Sequence, residues 1–146
     1  RSNQFSTIMV ENWFDLGETL YFRSEQSCTA AVFRLRSDLV KSALLVENDA
    51  ERAVFRLADN GVLALQVVDL SADQMANDLM AIDKGLGLDV LTATTIGKTC
   101  MTAMAQNTMF QALAEPHTIL VYDRAAHATG VFVPTLGVVV IASGES

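Results

Sequence analysis

Two cysteines, two histidines and one Gly-Lys-Thr triplet are the residues of this 146-residue chain with the most evident chemical use. Cys28 and Cys100 lie far apart in sequence, with no CxxC pattern and no zinc-type spacing. In an oxidising compartment they can pair, closing a loop of about seventy residues worth ~4 kcal/mol in the chain-entropy model. The other reading is two buried thiols that pack as small hydrophobes. Spacing alone leaves both open.

His127 shares a polar stretch with Tyr122, Asp123 and Arg124, and these four are the candidate binding residues. With Cys28 or Cys100 a Cys-His-Asp set can be drawn. Hydrolytic chemistry needs a nucleophile beside a base that an acid orients. No Gly-x-Ser-x-Gly elbow and no HExxH accompanies these residues, so no catalytic residue is assigned. A histidine in a turn is by default solvated, and His117, after Pro116, reads as a helix-end residue.

Thr92-Ala-Thr-Thr-Ile-Gly97-Lys98-Thr99 ends as a phosphate-binding loop does, and Ile119–Asp123 imitates the strand that follows such loops. The first glycine of that pattern is missing. Thr92 stands there, and its branched Cβ resists the required backbone turn. Five of the six methionines fall within residues 75–109, and Cys100-Met101-x-x-Met104 could suggest soft copper ligands. Methionine equally fills irregular core gaps or lines a pliable groove. The expectation is no metal and no cofactor. Asp49, Asp59, Asp69 and Asp73 fall at predicted caps and turns, which explains them without catalysis.

The net charge is −7, and residues 59–123 hold eight acids against Lys84 and Lys98. A nucleic-acid partner would call for a basic face, so none is expected. No apolar run approaches a membrane span. The chain starts at Arg1, as a chain without its signal peptide would, and this together with the cysteines points to a periplasmic or secreted protein, with a cytoplasmic one left open.

The elements that must position these residues follow from periodicity. Ala31-Val-Phe-Arg-Leu35 recurs as Ala53-Val-Phe-Arg-Leu57. Cys28, Ala31, Val32 and Leu35 fall at helical offsets, as do Ala50, Ala53, Val54 and Leu57, so both copies are predicted helical, with Arg34 and Arg56 opposite the apolar stripe. Asn48 with Glu51 resembles a capping box for the second copy, and Asn60-Gly61 a stop. Ser24 is the predicted N-cap of the first.

Ser6–Leu16 reads as a helix that buries Trp13, and Thr19–Phe22 as a short strand. Leu39–Val46 reads as a strand or short helix, Val62–Val68 as a strand, and Ser71 to about Ile82 as a helix with Met75, Leu79 and Ile82 on one face. Leu88–Leu91 reads as a short strand. A long helix is predicted from about Lys98 to Ala114, with Cys100, Ala103, Phe110 and Leu113 or Ala114 inward. Thr118–Tyr122, Val131–Val133 and Val138–Ala142 complete an antiparallel meander.

The reading is one α+β domain over residues 1–146, a mixed sheet packed by helices; a doubly wound α/β sheet is the alternative. Functionally the chain reads as a non-catalytic protein- or small-molecule-binding module of an exported protein. A small enzyme using the Asp123–His127 loop is one alternative. The other is a structural subunit forming homo-oligomers through Val138–Ala142, which carries no charge to discourage strand pairing.

Overall fold

A computed structural model describes residues 10–144. Residues 10–13 are helical and lead into a hairpin of two long strands, β1 (Phe14–Ser24) and β2 (Cys28–Val40). Helix α1 (Ala50–Asn60) and strand β3 (Val62–Leu65) follow, then α2 (Ala72–Ile82), α3 (Lys84–Gly97), a 3-10 turn at Lys98–Cys100 and α4 (Ala103–Ala114). The chain ends in the meander β4 (Ile119–Asp123), β5 (Ala128–Val133) and β6 (Val138–Gly144). The sheet order is β1-β2-β6-β5-β4-β3, and every neighbouring pair is antiparallel. This is an α+β fold with the expected C-terminal meander. Of the expected mixture of strand directions, the described residues hold only one isolated parallel bridge, Glu47 with Leu65, and the all-antiparallel ladder excludes a doubly wound arrangement.

Both faces of the sheet are buried from the first half of β2 across to β4, whereas β1 is largely exposed. On one face Val32, Leu120, Tyr122, Val131 and Val140 meet residues of α1 to α4, among them Leu57, Met75, Val90 and Met109. On the other, Phe33, Val121, Phe132, Val139 and Ile141 pack with Val10, Trp13, Phe14 and Leu44. Neighbouring residues of one strand alternate between the two clusters, as the two-residue period of a strand requires. Trp13 is buried as expected, edge-on to Phe14, which stacks on Phe132 with ring centres 4.5 Å apart.

This double burial explains the uninterrupted apolar run Val138–Ala142. A strand covered on both faces needs no polar alternation. The run is also central: β6 is hydrogen-bonded to β2 on one side and β5 on the other. The expected homo-oligomer contact through this strand is therefore overturned, because it has no free edge to offer. The actual edges are guarded. The β1–β2 register shifts three times along β1, and backbone bonds from Glu47 to Ala64 and from Gln66 to Glu47 cover part of β3.

The repeated pentapeptide takes two structures. The second copy is helical, bounded by Asp49 and by left-handed Gly61, whose amide bonds to the Leu57 carbonyl. Asp49, one residue after the expected Asn48, is the cap: its side chain accepts from the Glu51 amide. The first copy lies in β2 and the helix predicted there, with its Ser24 cap, is absent. Ala31, Phe33 and Leu35 face one side of the sheet and Val32 the other. Pairing with both β1 and β6 overrides the helical spacing. Arg34 is consequently a strand residue bonded to Glu18 at 3.0 Å, while Arg56 stays helical and reaches Glu47 at 2.9 Å.

Other boundaries also move. The predicted first helix lies partly outside the described residues, and its end, Phe14–Leu16, belongs to β1. Leu39 and Val40 end β2, with no further strand or helix through Val46. Leu88–Leu91 is inside α3, not a strand. Capping by Asp83 on the Leu86 amide starts this helix at Lys84 despite Gly85 and Gly87. The Ser71–Gln74 capping box opens α2 as predicted; Met75 and Leu79 are buried, whereas Ile82 is exposed. The long helix expected from Lys98 is broken, because Thr102 caps a new helix by accepting from the Ala105 amide. That break resets the face: Ala105, Met109 and Ala112 point inward, and Ala103 and Phe110 are exposed.

Candidate functional site

The β4–β5 connection holds the residues singled out from sequence, and its chemistry is mostly spent on its own shape. Asp123 is buried, and its Oδ1 accepts a hydrogen bond from the Ala126 amide at 3.2 Å. Burial pushes its carboxyl above the usual carboxylate range, offset in part by the Ala126 and Ala125 amides. The Arg124 amide donates to the Gly61 carbonyl, tying the turn to the end of α1. The Arg124 side chain is exposed. His127 has a left-handed backbone, φ 48°, and its amide donates to the Arg124 carbonyl. Tyr122 points away from the loop into the helix-side core, where burial raises its phenol pKa, with Asp89 adding to the rise. The four candidates are thus not one constellation. Tyr122 is core, Asp123 is a turn anchor, Arg124 faces solvent, and His127 opens onto a cavity.

That cavity, about 240 Å³, is lined by Gln26, Ser27 and Cys28 from the β1–β2 turn, Ala126 and His127, and Ser143 and Gly144 of β6. The structure joins Cys28 to Cys100 in a disulfide, with Cα atoms 5.9 Å apart across 72 residues of sequence. The Cys-His-Asp set is therefore not competent in this state. The sulfur is bonded rather than a thiolate, and the carboxylate holds a backbone amide. The Ser143 hydroxyl donates to the Ala126 carbonyl. His117 is exposed, with φ 61°, and is not among the residues lining this cavity.

The Gly97-Lys98-Thr99 triplet forms no phosphate cradle. Residues 92–97 are helical, and Gly97 is small because α3 crosses β6 there: a Cβ would lie 2.5 Å from that of Ala142. The soft-ligand set is also dispersed, since Met101 is buried and Met104 is 80% exposed.

A second concavity, about 330 Å³, lies between β1, β2 and β6 on one side and α4 on the other, where Leu20, Tyr21, Val32 and Val138 face Met104, Ala105 and Thr108. Its hydroxyls are already engaged. Tyr21 donates to the Cys100 carbonyl, Thr108 donates to the Met104 carbonyl, and Thr102 accepts from the Ala105 amide. What remains is a carbon-lined trough with a flexible thioether at its rim. The methionine clustering pointed toward Met104. Leu20 and Val138 were not legible, because the β1–β2 hairpin, the central strand β6 and α4, far apart in sequence, build this wall together. No protein-family model matches the chain, and no curated protein and no solved structure matches it either.

Proposed function

We propose that this protein is a non-catalytic binding module of an exported protein, and that the trough between β1 and α4 takes a small apolar ligand. The observation that carries this reading is the chemistry of the trough. A concavity of about 330 Å³ whose hydroxyls are all bonded to backbone offers mainly carbon contact. Its volume lies in the range of small-ligand sites, roughly 300–1,000 Å³. Met104 suits such a wall because an unbranched thioether adapts to different shapes. The disulfide supports export, since such bonds persist in oxidising compartments.

Titration with a neutral apolar fluorophore such as Nile red tests the reading. Saturable binding at one probe per chain is expected, weakened at least tenfold in Met104→Glu and Leu20→Glu. Absence of saturable binding, or binding by both variants as tight as by the wild type, contradicts it. The enzymatic alternative at the Asp123–His127 loop is the weaker reading, because its acid serves the turn and its cysteine is bonded.

A further inference from the structure

We infer that the reduced chain carries a binding site for a thiophilic divalent cation of the zinc type, built from Cys28, Cys100 and Glu25. The sulfurs of Cys28 and Cys100 and a carboxylate oxygen of Glu25 all lie within 4.8 Å of one another. Tetrahedral zinc with bonds of about 2.3 Å to sulfur places two thiolates about 3.8 Å apart. The 5.9 Å between the two Cα atoms permits that separation by side-chain rotation alone.

The three positions are fixed by more than the disulfide. The Glu25 amide donates to the Cys28 carbonyl at 2.8 Å, closing the turn that carries both residues. Cys28 is paired with Gly144 in the sheet. On the other side the Tyr21 hydroxyl donates to the Cys100 carbonyl, pinning the 3-10 turn to β1. Reduction therefore leaves the ligand backbone anchored. Arg23 is ion-paired with Glu25 and can hold the carboxylate from behind, as outer partners of metal ligands do.

The donor set decides the cation. Two thiolates and one carboxylate suit zinc, cadmium or cobalt, whereas magnesium and calcium take oxygen ligands. The two thiols become thiolates as the divalent ion binds, and the Glu25 carboxylate adds a third negative ligand. Cys28 lines the cavity of about 240 Å³, which has room for the water that would complete the coordination. The disulfide form offers no thiolate, so oxidation and metal binding exclude each other. In balance, an external dithiol supplies two electrons and two protons to the Cys28–Cys100 bond and leaves as its own disulfide. Each thiol then releases its proton to buffer as its sulfur bonds the metal.

The test is titration of the full chain with Co2+, then Zn2+, under nitrogen after reduction and removal of the reductant. A sulfur-to-cobalt charge-transfer band that saturates at one metal per chain and is displaced by zinc is expected. Glu25→Gln should weaken binding at least tenfold while keeping the band, and Cys28→Ser should abolish it; the oxidised chain should bind nothing. Far-UV circular dichroism and thermal midpoints are followed in parallel. Zinc is expected to raise the midpoint of the reduced chain, or to restore the fold if reduction has loosened it. No thiolate band, no zinc-dependent gain in stability, or equal affinity in Glu25→Gln overturns the assignment.

Discussion

Replacing both Cys28 and Cys100 by alanine removes a covalent tie between the start of β2 and the turn after α3. Its effect can be worked from the loop. A separation of 72 residues gives about 15 cal/mol/K of unfolded-chain entropy, or about 4 kcal/mol at 25 °C, in the loop-closure model. A domain of this kind has about 5–15 kcal/mol in total, so much of its margin depends on this bond. With a urea slope of about 2 kcal/mol/M, the unfolding midpoint should fall by about 2 M. Trp13, the only tryptophan and buried against Phe14, reports the transition by fluorescence. If the effect acts through the unfolded chain, the metal-free reduced wild type should unfold close to the double variant. A double variant whose midpoint stays within about 0.5 M of the oxidised protein would refute the loop argument, since that corresponds to about 1 kcal/mol.

Trp13→Ala should lower stability by about 3–5 kcal/mol, read as a thermal midpoint by circular dichroism, because it empties a large volume between residues 10–13 and the sheet. Gly97→Ala sets two effects against each other: alanine gains about 1 kcal/mol in helix propensity, but its Cβ would meet Ala142 at 2.5 Å and backbone at 2.9 Å. The clash should win and the variant should lose about 1–3 kcal/mol in urea unfolding; a gain would show that α3 can lift off β6. Asp123 has a folded pKa raised above its ordinary value, so the folded state holds its proton more tightly than the unfolded chain. Its burial penalty is absent below the unfolded pKa and fully present above the folded one. Asp123→Asn, which keeps an oxygen for the Ala126 amide, should therefore gain stability relative to wild type as pH rises through that window to 7; a gain that instead grows toward acid pH contradicts the sign.

Legibility from sequence followed the range of the interactions. The Ser71–Gln74 box, the Gly61 stop and the three C-terminal strands were readable because each is set by residues within a few positions. The pentapeptide shows the limit. Identical residues form a helix where Asp49 and Gly61 bound them and a strand where β1 and β6 flank them. Val138–Ala142 looked like an exposed edge because its uniform apolar character has two causes, and only strand order separates them. The candidate residues suffered likewise. Pattern placed Asp123 and His127 in a loop, but whether a carboxylate serves chemistry or a turn depends on the amide it meets. The trough and the Glu25–Cys28–Cys100 cluster join segments some eighty residues apart, beyond any local spacing rule.

The most direct test of the binding reading is the methyl resonance of Met104 in protein labelled at methionine methyls. Met104 is at the rim of the trough, whereas Met75 and Met109 are fully buried in the helix-side core. During titration with a neutral apolar probe the Met104 signal, identified by its loss in Met104→Leu, should shift to saturation while those of Met75 and Met109 stay in place. A Met104 signal that does not move at saturating probe, or core signals that move as far as it does, would contradict a binding site between β1 and α4.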